Sequence, residues 1–204
     1  MDIFRKLEAA ARMKKKTIIL PESYDPRVIE AARIILKRKL AKLILIDTGK
    51  SIKLPENEDL DIIDIGFAEQ FAGEYKELRS RKVRGFTHAD AEKALTDPLL
   101  FACMLLRSKY ADAVVAGSVN STGNVLRSAI QTVGLSKGNR TVSSFFLMSF
   151  PKQHKLSQRV FAYGDCGVLP NPNAEQLSDI SIQTSLNFKK LTGIKPKTAF
   201  LSFS

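Results

Sequence analysis

Tryptophan is missing from this 204-residue chain, and histidine and cysteine occur only twice each. No uninterrupted apolar run approaches the ~20 residues of a membrane-spanning helix. Each scarcity removes a class of protein. Without tryptophan, and with no aromatics interleaved in its basic clusters, the chain lacks the stacking surface of a single-strand nucleic-acid binder. Cys103 and Cys166 are far apart, one in a helical pattern and one in a Gly-Asp-Cys-Gly turn, with no ligand spacing around either, so neither a disulfide framework nor a zinc site is expected. His88 follows Thr87 at a helix start and His154 sits in a charged loop, which are solvated positions rather than catalytic ones. The amino terminus carries Asp2, Arg5, Lys6 and Glu8 where a secretory apolar region carries no charge, so a cytoplasmic protein is expected. Neither a Walker A sequence nor G-x-G-x-x-G is present.

What is present describes a globular protein. The chain is 44% hydrophobic and 26% charged with a mean hydropathy of -0.09, enough apolar material for one full core or two smaller ones. Thirty-two Lys and Arg against 21 Asp and Glu give a net charge of +11, which concentrates polyanionic ligands without choosing among them. Two basic clusters, Arg12-Met-Lys-Lys-Lys16 and Lys37-Arg-Lys39, fall at the ends of helical patterns. There cations complement the negative helix terminus, and that reading is preferred to nucleic-acid binding.

Along the chain, apolar residues recur at helical spacing from Asp2 to Met13, and Thr17-Ile-Ile-Leu20 reads as a buried strand. Asp25-Pro26 caps a helix whose apolar face is Val28, Ile29, Ala32, Ile35 and Leu36, and the strand Lys42–Ile46 follows. Uniformly apolar strands joined through a helix indicate a right-handed βαβ crossover in a parallel sheet covered on both faces. A third strand is expected at Asp61–Ile65, a helix from Phe67 to about Lys82, a capping-box start at Thr87 and Asp90, and a helix Leu99–Leu106 after Asp97-Pro98. Ala111–Ala116 reads as a fourth strand, followed by a loop 117–123 and a helix ending near Gly134. A polar, glycine-containing stretch at 135–140 marks a domain boundary. Beyond it come strands at Val142–Phe150 and Arg159–Tyr163, a helix from Pro172 to about Leu191 and a terminal strand Lys197–Ser204. The chain thus divides into 1–138 and 139–204, and looks cut short where a loop is due to begin.

The loop Gly117-Ser-Val-Asn-Ser-Thr-Gly123 joins a buried strand to a helix, and its glycines, hydroxyls and amides suit an anion at the helix terminus. Arg127, about one turn into that helix, can offer phosphate oxygens a planar fork of donors. The same residues also describe an ordinary βα turn with a surface arginine. Arg27 has Glu22 and Asp25 as alternative partners, and Asp165 is a turn-capping residue by type. Cys166 has no linked histidine, so a structural role is preferred to a nucleophilic one.

Several ordered blocks together resemble the phosphate acetyltransferase (phosphotransacetylase) family over essentially the whole chain. They are Pro21-Glu-Ser-Tyr-Asp-Pro-Arg27, Glu77-Leu-Arg79, Ala116-Gly-Ser-Val-Asn-Ser-Thr-Gly-Asn-Val-Leu-Arg127, Ser143-Ser-Phe-Phe-Leu-Met148 and Tyr163-Gly-Asp-Cys-Gly-Val-Leu-Pro-Asn-Pro172. The resemblance implies transfer of an acetyl group between acetyl phosphate and coenzyme A, with phosphate as the other product and no metal or cofactor. It implies an α/β fold of two three-layer αβα domains with mostly parallel sheets, like isocitrate and isopropylmalate dehydrogenases, the second domain incomplete here. A homodimer without nucleic-acid or membrane partners is implied too. Arg79 and Arg127 match family arginines that hold the anionic substrates, and the loop bearing Ser118, Asn120, Ser121 and Thr122 borders the cleft. The family's catalytic carboxylate is expected beyond Ser204, so no catalytic residue is named and poor activity is expected of this chain.

That chemistry needs a base to take the thiol proton and cations to stabilise charge building on the carbonyl oxygen and leaving phosphate. Where the family places a histidine in the loop and a proline after the arginine, this chain has Asn120 and Ser128, and asparagine exchanges no proton near neutral pH. Phosphate butyryltransferase, with the same architecture, is one alternative. A noncatalytic module binding coenzyme A or another polyanion is another, from a different class.

Overall fold

The computed structural model describes residues 3–50, 52–156 and 159–201. The chain divides into two compact units, Ala10–Gly134 and a second made of Met1–Ala9 with Leu135–Ser204. The boundary expected near residue 138 left residues 1–9 with the first domain, whereas their contacts group them with the later part of the chain.

In the first unit, β1 (Thr17–Leu20), β2 (Lys42–Asp47), β3 (Leu60–Asp64) and β4 (Ala113–Val114) form one all-parallel sheet in the order β3-β2-β1-β4. Strand alternation sorts their side chains onto two faces. Ile19, Ile44 and Ile46 pack with Phe71, Tyr75, Leu95, Phe101, Met104 and Leu105. Leu20, Leu43 and Leu45 turn the other way and pack with Val28, Ala32 and Leu36 of α2 (Pro26–Lys37). Both faces of β1 and β2 are therefore covered, as apolar parallel strands require.

The helices begin where the caps indicate. Asp25 accepts from the Arg27 amide at the start of α2, and Asp97 accepts from the Leu99 amide before α5 (Pro98–Arg107). Thr87 and Asp90 form a reciprocal capping box on α4 (His88–Leu95). The segment expected as one helix from Phe67 to Lys82 is two pieces, a 3-10 helix Ile65–Phe71 and α3 (Ala72–Ser80). Asp64 caps the tight first part by accepting from Gly66, and Phe67 and Phe71 pack edge-on to Tyr110, so tertiary contacts override helical periodicity there. Only Ala113 and Val114 of the expected fourth strand enter the ladder, against Ile18 and Ile19. Helix α6 (Thr122–Thr132) begins inside the expected loop because Ser121 accepts from the Asn124 amide as its cap.

In the second unit, β5 (Phe145–Ser149) and β6 (Val160–Gly164) pair antiparallel. That departs from the mostly parallel sheets expected, because so short a connection permits only a hairpin. Helix α7 (Ala174–Thr192) starts at Asn173 with a Gln176 capping box and stops at Gly193 in the left-handed conformation. Its last carbonyl turn is tied to α1 (Ile3–Met13) by Lys6 Nζ donating to the Thr192 carbonyl at 3.1 Å. The expected terminal strand is not formed at 197–201. Those residues pair with no strand among the described residues, Phe200 and Leu201 stand exposed, and 202–204 lie outside the described residues. No helix among the described residues is long and apolar enough to cross a membrane.

Phe101 is wholly buried and meets Phe71 at 5.9 Å between ring centres. Phe101→Ala should cost ~3–5 kcal/mol of stability in urea unfolding, through lost burial and a residual cavity. A loss below ~1 kcal/mol would mean that this core does not hold the unit together.

Candidate functional site

The strand order reverses between β1 and β4, since the chain builds outward through β2 and β3 and returns to the far side of β1. The carboxyl ends at such a reversal diverge into a crevice, the usual ligand position in an open parallel sheet. Two loops meet there, 21–25 after β1 and 115–121 after β4.

Glu22 joins them. Its side chain, from a residue only 2% exposed, accepts from the amides of Gly117 (3.0 Å) and Ser118 (2.7 Å) on Oε2, and of Val119 (3.1 Å) and Asn120 (2.7 Å) on Oε1. Asn120 Nδ2 adds a fifth bond at 2.9 Å. Burial alone would raise the Glu22 pKa, but these hydrogen bonds, led by those of Asn120, outweigh it and hold the carboxyl below its ordinary value. The amides expected to receive an external anion are thus already occupied by an internal one.

The rest of the loop is fixed by a second cluster. Arg27 Nη2 donates to Asp25 Oδ2 at 2.5 Å and to the Ser118 carbonyl at 2.7 Å, while Ser118 Oγ donates to Asp25 Oδ2 at 2.7 Å. Of the two partners open to Arg27 in sequence, Asp25 is the one paired. The Arg27 guanidinium, and then the Ser118 hydroxyl, hold the Asp25 carboxyl far below the usual range. Buried Ser23 donates to the Ile46 carbonyl, pinning the β1 loop to the end of β2. Ser121 is spent as a helix cap, and Thr122 is exposed in the first turn of α6.

Arg79 and Arg127 lie on α3 and α6. Tyr75 Oη donates to Gln131 Oε1 at 3.1 Å, joining the two helices, and each arginine is four residues, about one turn, from its helix's partner in that bond. Arg107 reinforces the joint, donating to Glu74 Oε1 at 2.6 Å and to the Thr132 carbonyl at 2.9 Å. The Arg79 guanidinium lies over the Phe86 ring, 5.9 Å from its centre. Arg127 is exposed and donates to Asn124 Oδ1 at 3.1 Å. Ser128, which stands where the family places a proline, is buried, and its carbonyl accepts from Thr132 Oγ1 at 2.8 Å.

In the second unit, Asp165 accepts from the Ser144 amide and hydroxyl and from the amides of Val168 and Leu169, at 2.6 to 2.8 Å. Burial pushes its pKa up, but these bonds, led by the Ser144 hydroxyl, hold it far down. Asp165 therefore organises a turn. Cys166 Sγ lies 3.2 Å from Ser144 Oγ, with no histidine in the arrangement. Cys103 is buried and its thiol is pushed up to about 11 by that burial, which places it in the core. Among the described residues no cluster of three or more His, Cys, Asp or Glu is arranged to hold a metal ion.

Fold and candidate site define an α/β protein with a crevice where a parallel sheet reverses its strand order. A model of the phosphate acetyl/butaryl transferase family matches residues 2–204, and the chain belongs to that family. The phosphate acetyltransferase of Acetivibrio thermocellus is 41% identical over all of this chain and 63% of its own length. That of Clostridium acetobutylicum is 37% identical over all of this chain and 63% of its own length. A phosphotransacetylase structure from Streptococcus pyogenes superposes with a TM-score of 0.84 at 27% identity, over 99% of this chain and 62% of the other. The EutD phosphotransacetylase of Staphylococcus aureus gives 0.79 at 25% identity, over 100% and 61%. The chain thus spans less than two thirds of the length of these relatives.

Glu22→Ala should cost ~3 kcal/mol or more, since it strands amides built around a carboxylate, and added formate should recover part of the loss. The sign with pH follows from the lowered pKa. The Glu22 contribution is complete above the ordinary value of 4.5 and fades as pH falls through the folded value. The stability difference between the native chain and Glu22→Gln should therefore shrink on acidification below that value, in parallel denaturant titrations. A thiol reagent should label native Cys166 and spare Cys103.

Proposed function

We propose that this chain carries the substrate-handling surface of a phosphate acetyltransferase, which moves an acetyl group between acetyl phosphate and coenzyme A (acetyl-CoA + phosphate = CoA + acetyl phosphate). The proposal rests on family membership across residues 2–204, combined with the arginines carried by α3 and α6, helices joined through Tyr75 and Gln131. Arg79 and Arg127 bind the anionic groups of coenzyme A and the acyl phosphate, and their charge offsets the negative charge that grows in the transition state. Ser118, Asn120, Ser121 and Thr122 form the rim. With Glu22 in place, and with Ser118 and Ser121 engaged by Asp25 and the Asn124 amide, the rim offers the Thr122 hydroxyl and the Asn120 side-chain carbonyl rather than a ring of free amides. Coenzyme A is a substrate, and no resident cofactor is required.

The thiol proton needs a base. Glu22, Asp25 and Asp165 are each held ionised by several donors, which makes them weak proton acceptors. The base is assigned instead to the part of the family's length that this chain does not span. The same observation favours a second reading, a module that binds coenzyme A without turning it over. We further assign the two units to two three-layer domains of the isocitrate and isopropylmalate dehydrogenase kind, the second incomplete, in a homodimeric cytoplasmic protein.

Calorimetry with coenzyme A and thioester absorbance with acetyl and butyryl phosphate test both readings. Saturable coenzyme A binding is expected, weakened roughly 10- to 100-fold by Arg127→Ala, the loss of charge-assisted bonds to a phosphate. Turnover should be slow, with acetyl preferred. No binding would sink both readings, and turnover at an ordinary enzyme rate would remove the assignment of the base elsewhere.

A further inference from the structure

Two turns at the amino-terminal end of the parallel sheet use a residue that their backbone disfavours. Helices α2 and α5 are followed by Lys39 at φ 53° and Lys109 at φ 65°, both left-handed. Each turn closes with a Schellman bond, Leu40 N to the Ile35 carbonyl at 3.1 Å and Tyr110 N to the Leu105 carbonyl at 3.0 Å. Glycine fills such positions without steric cost. This chain uses it in the same way after α6 and α7, with Gly134 at φ 79° and Gly193 at φ 76°. At the two turns leading into β2 and β4 it has lysine instead.

Those turns stand in a concentration of positive charge that the sequence distributes over distant segments. All four strands run parallel, so the residues preceding them share one end of the sheet, opposite the Glu22-locked loops. Arg12 Nε donates to the Arg38 carbonyl at 3.0 Å, and the Lys42 amide donates to the Lys16 carbonyl at 2.9 Å, which brings the two basic clusters together. Lys15 pairs with Asp59 and Lys16 with Asp112. Arg12, Lys14, Lys37, Lys39, Lys42 and Lys109 are exposed, and Lys14 also acts on the Asp112 carboxyl, whose hydrogen bond is to Lys16. Glu56 and Glu58, which precede β3, bound the basic face on one side.

We propose that this end of the sheet binds a compact polyphosphate group, held by Arg12, Lys14, Lys37, Lys39, Lys42 and Lys109. Neighbouring strands are ~4.8 Å apart, so cations at the starts of β1 and β2 lie within the span of two or three linked phosphates. Tyr110, an aromatic at this end, packs edge-on against Phe67 and Phe71 and is 48% exposed, so the cations recognise phosphates and the comparison of ATP with tripolyphosphate reads whether a base adds to them. Lysine at the two strained positions places a cation where glycine would serve the turn better, the kind of local strain that clusters at binding sites. The site is independent of the acetyl-transfer reading, being built from none of its residues.

The test is calorimetry of the 204-residue protein with tripolyphosphate and, separately, ATP, at ~0.15 M salt where weak surface attraction is screened. One saturable site is expected, with the two ligands agreeing within about threefold because both present a triphosphate. Lys14→Glu combined with Lys42→Glu should weaken binding ~10-fold or more. Lys39→Gly and Lys109→Gly should each weaken it while raising Tm by ~2–4 °C, since relief of strain and loss of ligand charge act on different readouts. Absence of saturable binding overturns the proposal, as does unchanged affinity in the charge-reversed protein. ATP binding tenfold tighter than tripolyphosphate would mean that a base is read. A fall in Tm on Lys39→Gly would mean that the lysine serves only its helix end. Retention of duplex DNA without tripolyphosphate binding would assign the face to nucleic acid instead.

Discussion

A buried carboxylate that must find donors governs the crevice. Glu22 leaves β1 into a space closed to water, and an unpaired charge there costs several kcal/mol. The nearest solution is the run of amides from Gly117 to Asn120, 95 to 98 residues further along the chain. Meeting that requirement brings the β4 loop onto the β1 loop, seats Ser118 against Asp25 and Arg27, and sets the start of α6 that carries Arg127. The short β4 ladder, two residues long, would be a weak anchor for this loop alone.

The same arrangement decides what kind of anion recognition remains. A ring of free backbone amides binds almost any oxyanion by position. Here that ring is filled from within, and the guanidinium groups on α3 and α6 are donors of another kind, planar forks that need two contacts in register. Loop and helices then divide the work. One is locked by an internal charge, and the other presents cations on elements joined through Tyr75, Gln131 and Arg107.

Much of the first unit was legible from sequence because each signal there is local. Asp25-Pro26, Asp97-Pro98 and the Thr87–Asp90 box start their helices as expected, and the apolar strands Thr17–Leu20 and Lys42–Asp47 pair in parallel. Failures came where distant residues decide. The Phe67 segment tightens to 3-10 geometry against Tyr110, which no helical periodicity encodes. In the loop that follows β4, the residues 117–123 were singled out, but Glu22 was read only as a potential partner for Arg27. An acidic residue directly after a buried strand, at the carboxyl end of a parallel sheet, was the available signal. The two basic clusters each read as a helix end because nothing in the sequence shows that they meet.

Arg107 joins three helices by bonds of different character. Its pair with Glu74 is largely exposed, and mobile ions weaken such attractions, whereas its bond to the Thr132 carbonyl and the neutral Tyr75–Gln131 bond are half-buried and little affected by them. The direct bond between α3 and α6, Tyr75 to Gln131, is therefore uncharged. In brine or in dilute buffer, α3 and α6 should keep their spacing at that bond, even as the attraction between their charged side chains and dissolved anions rises and falls.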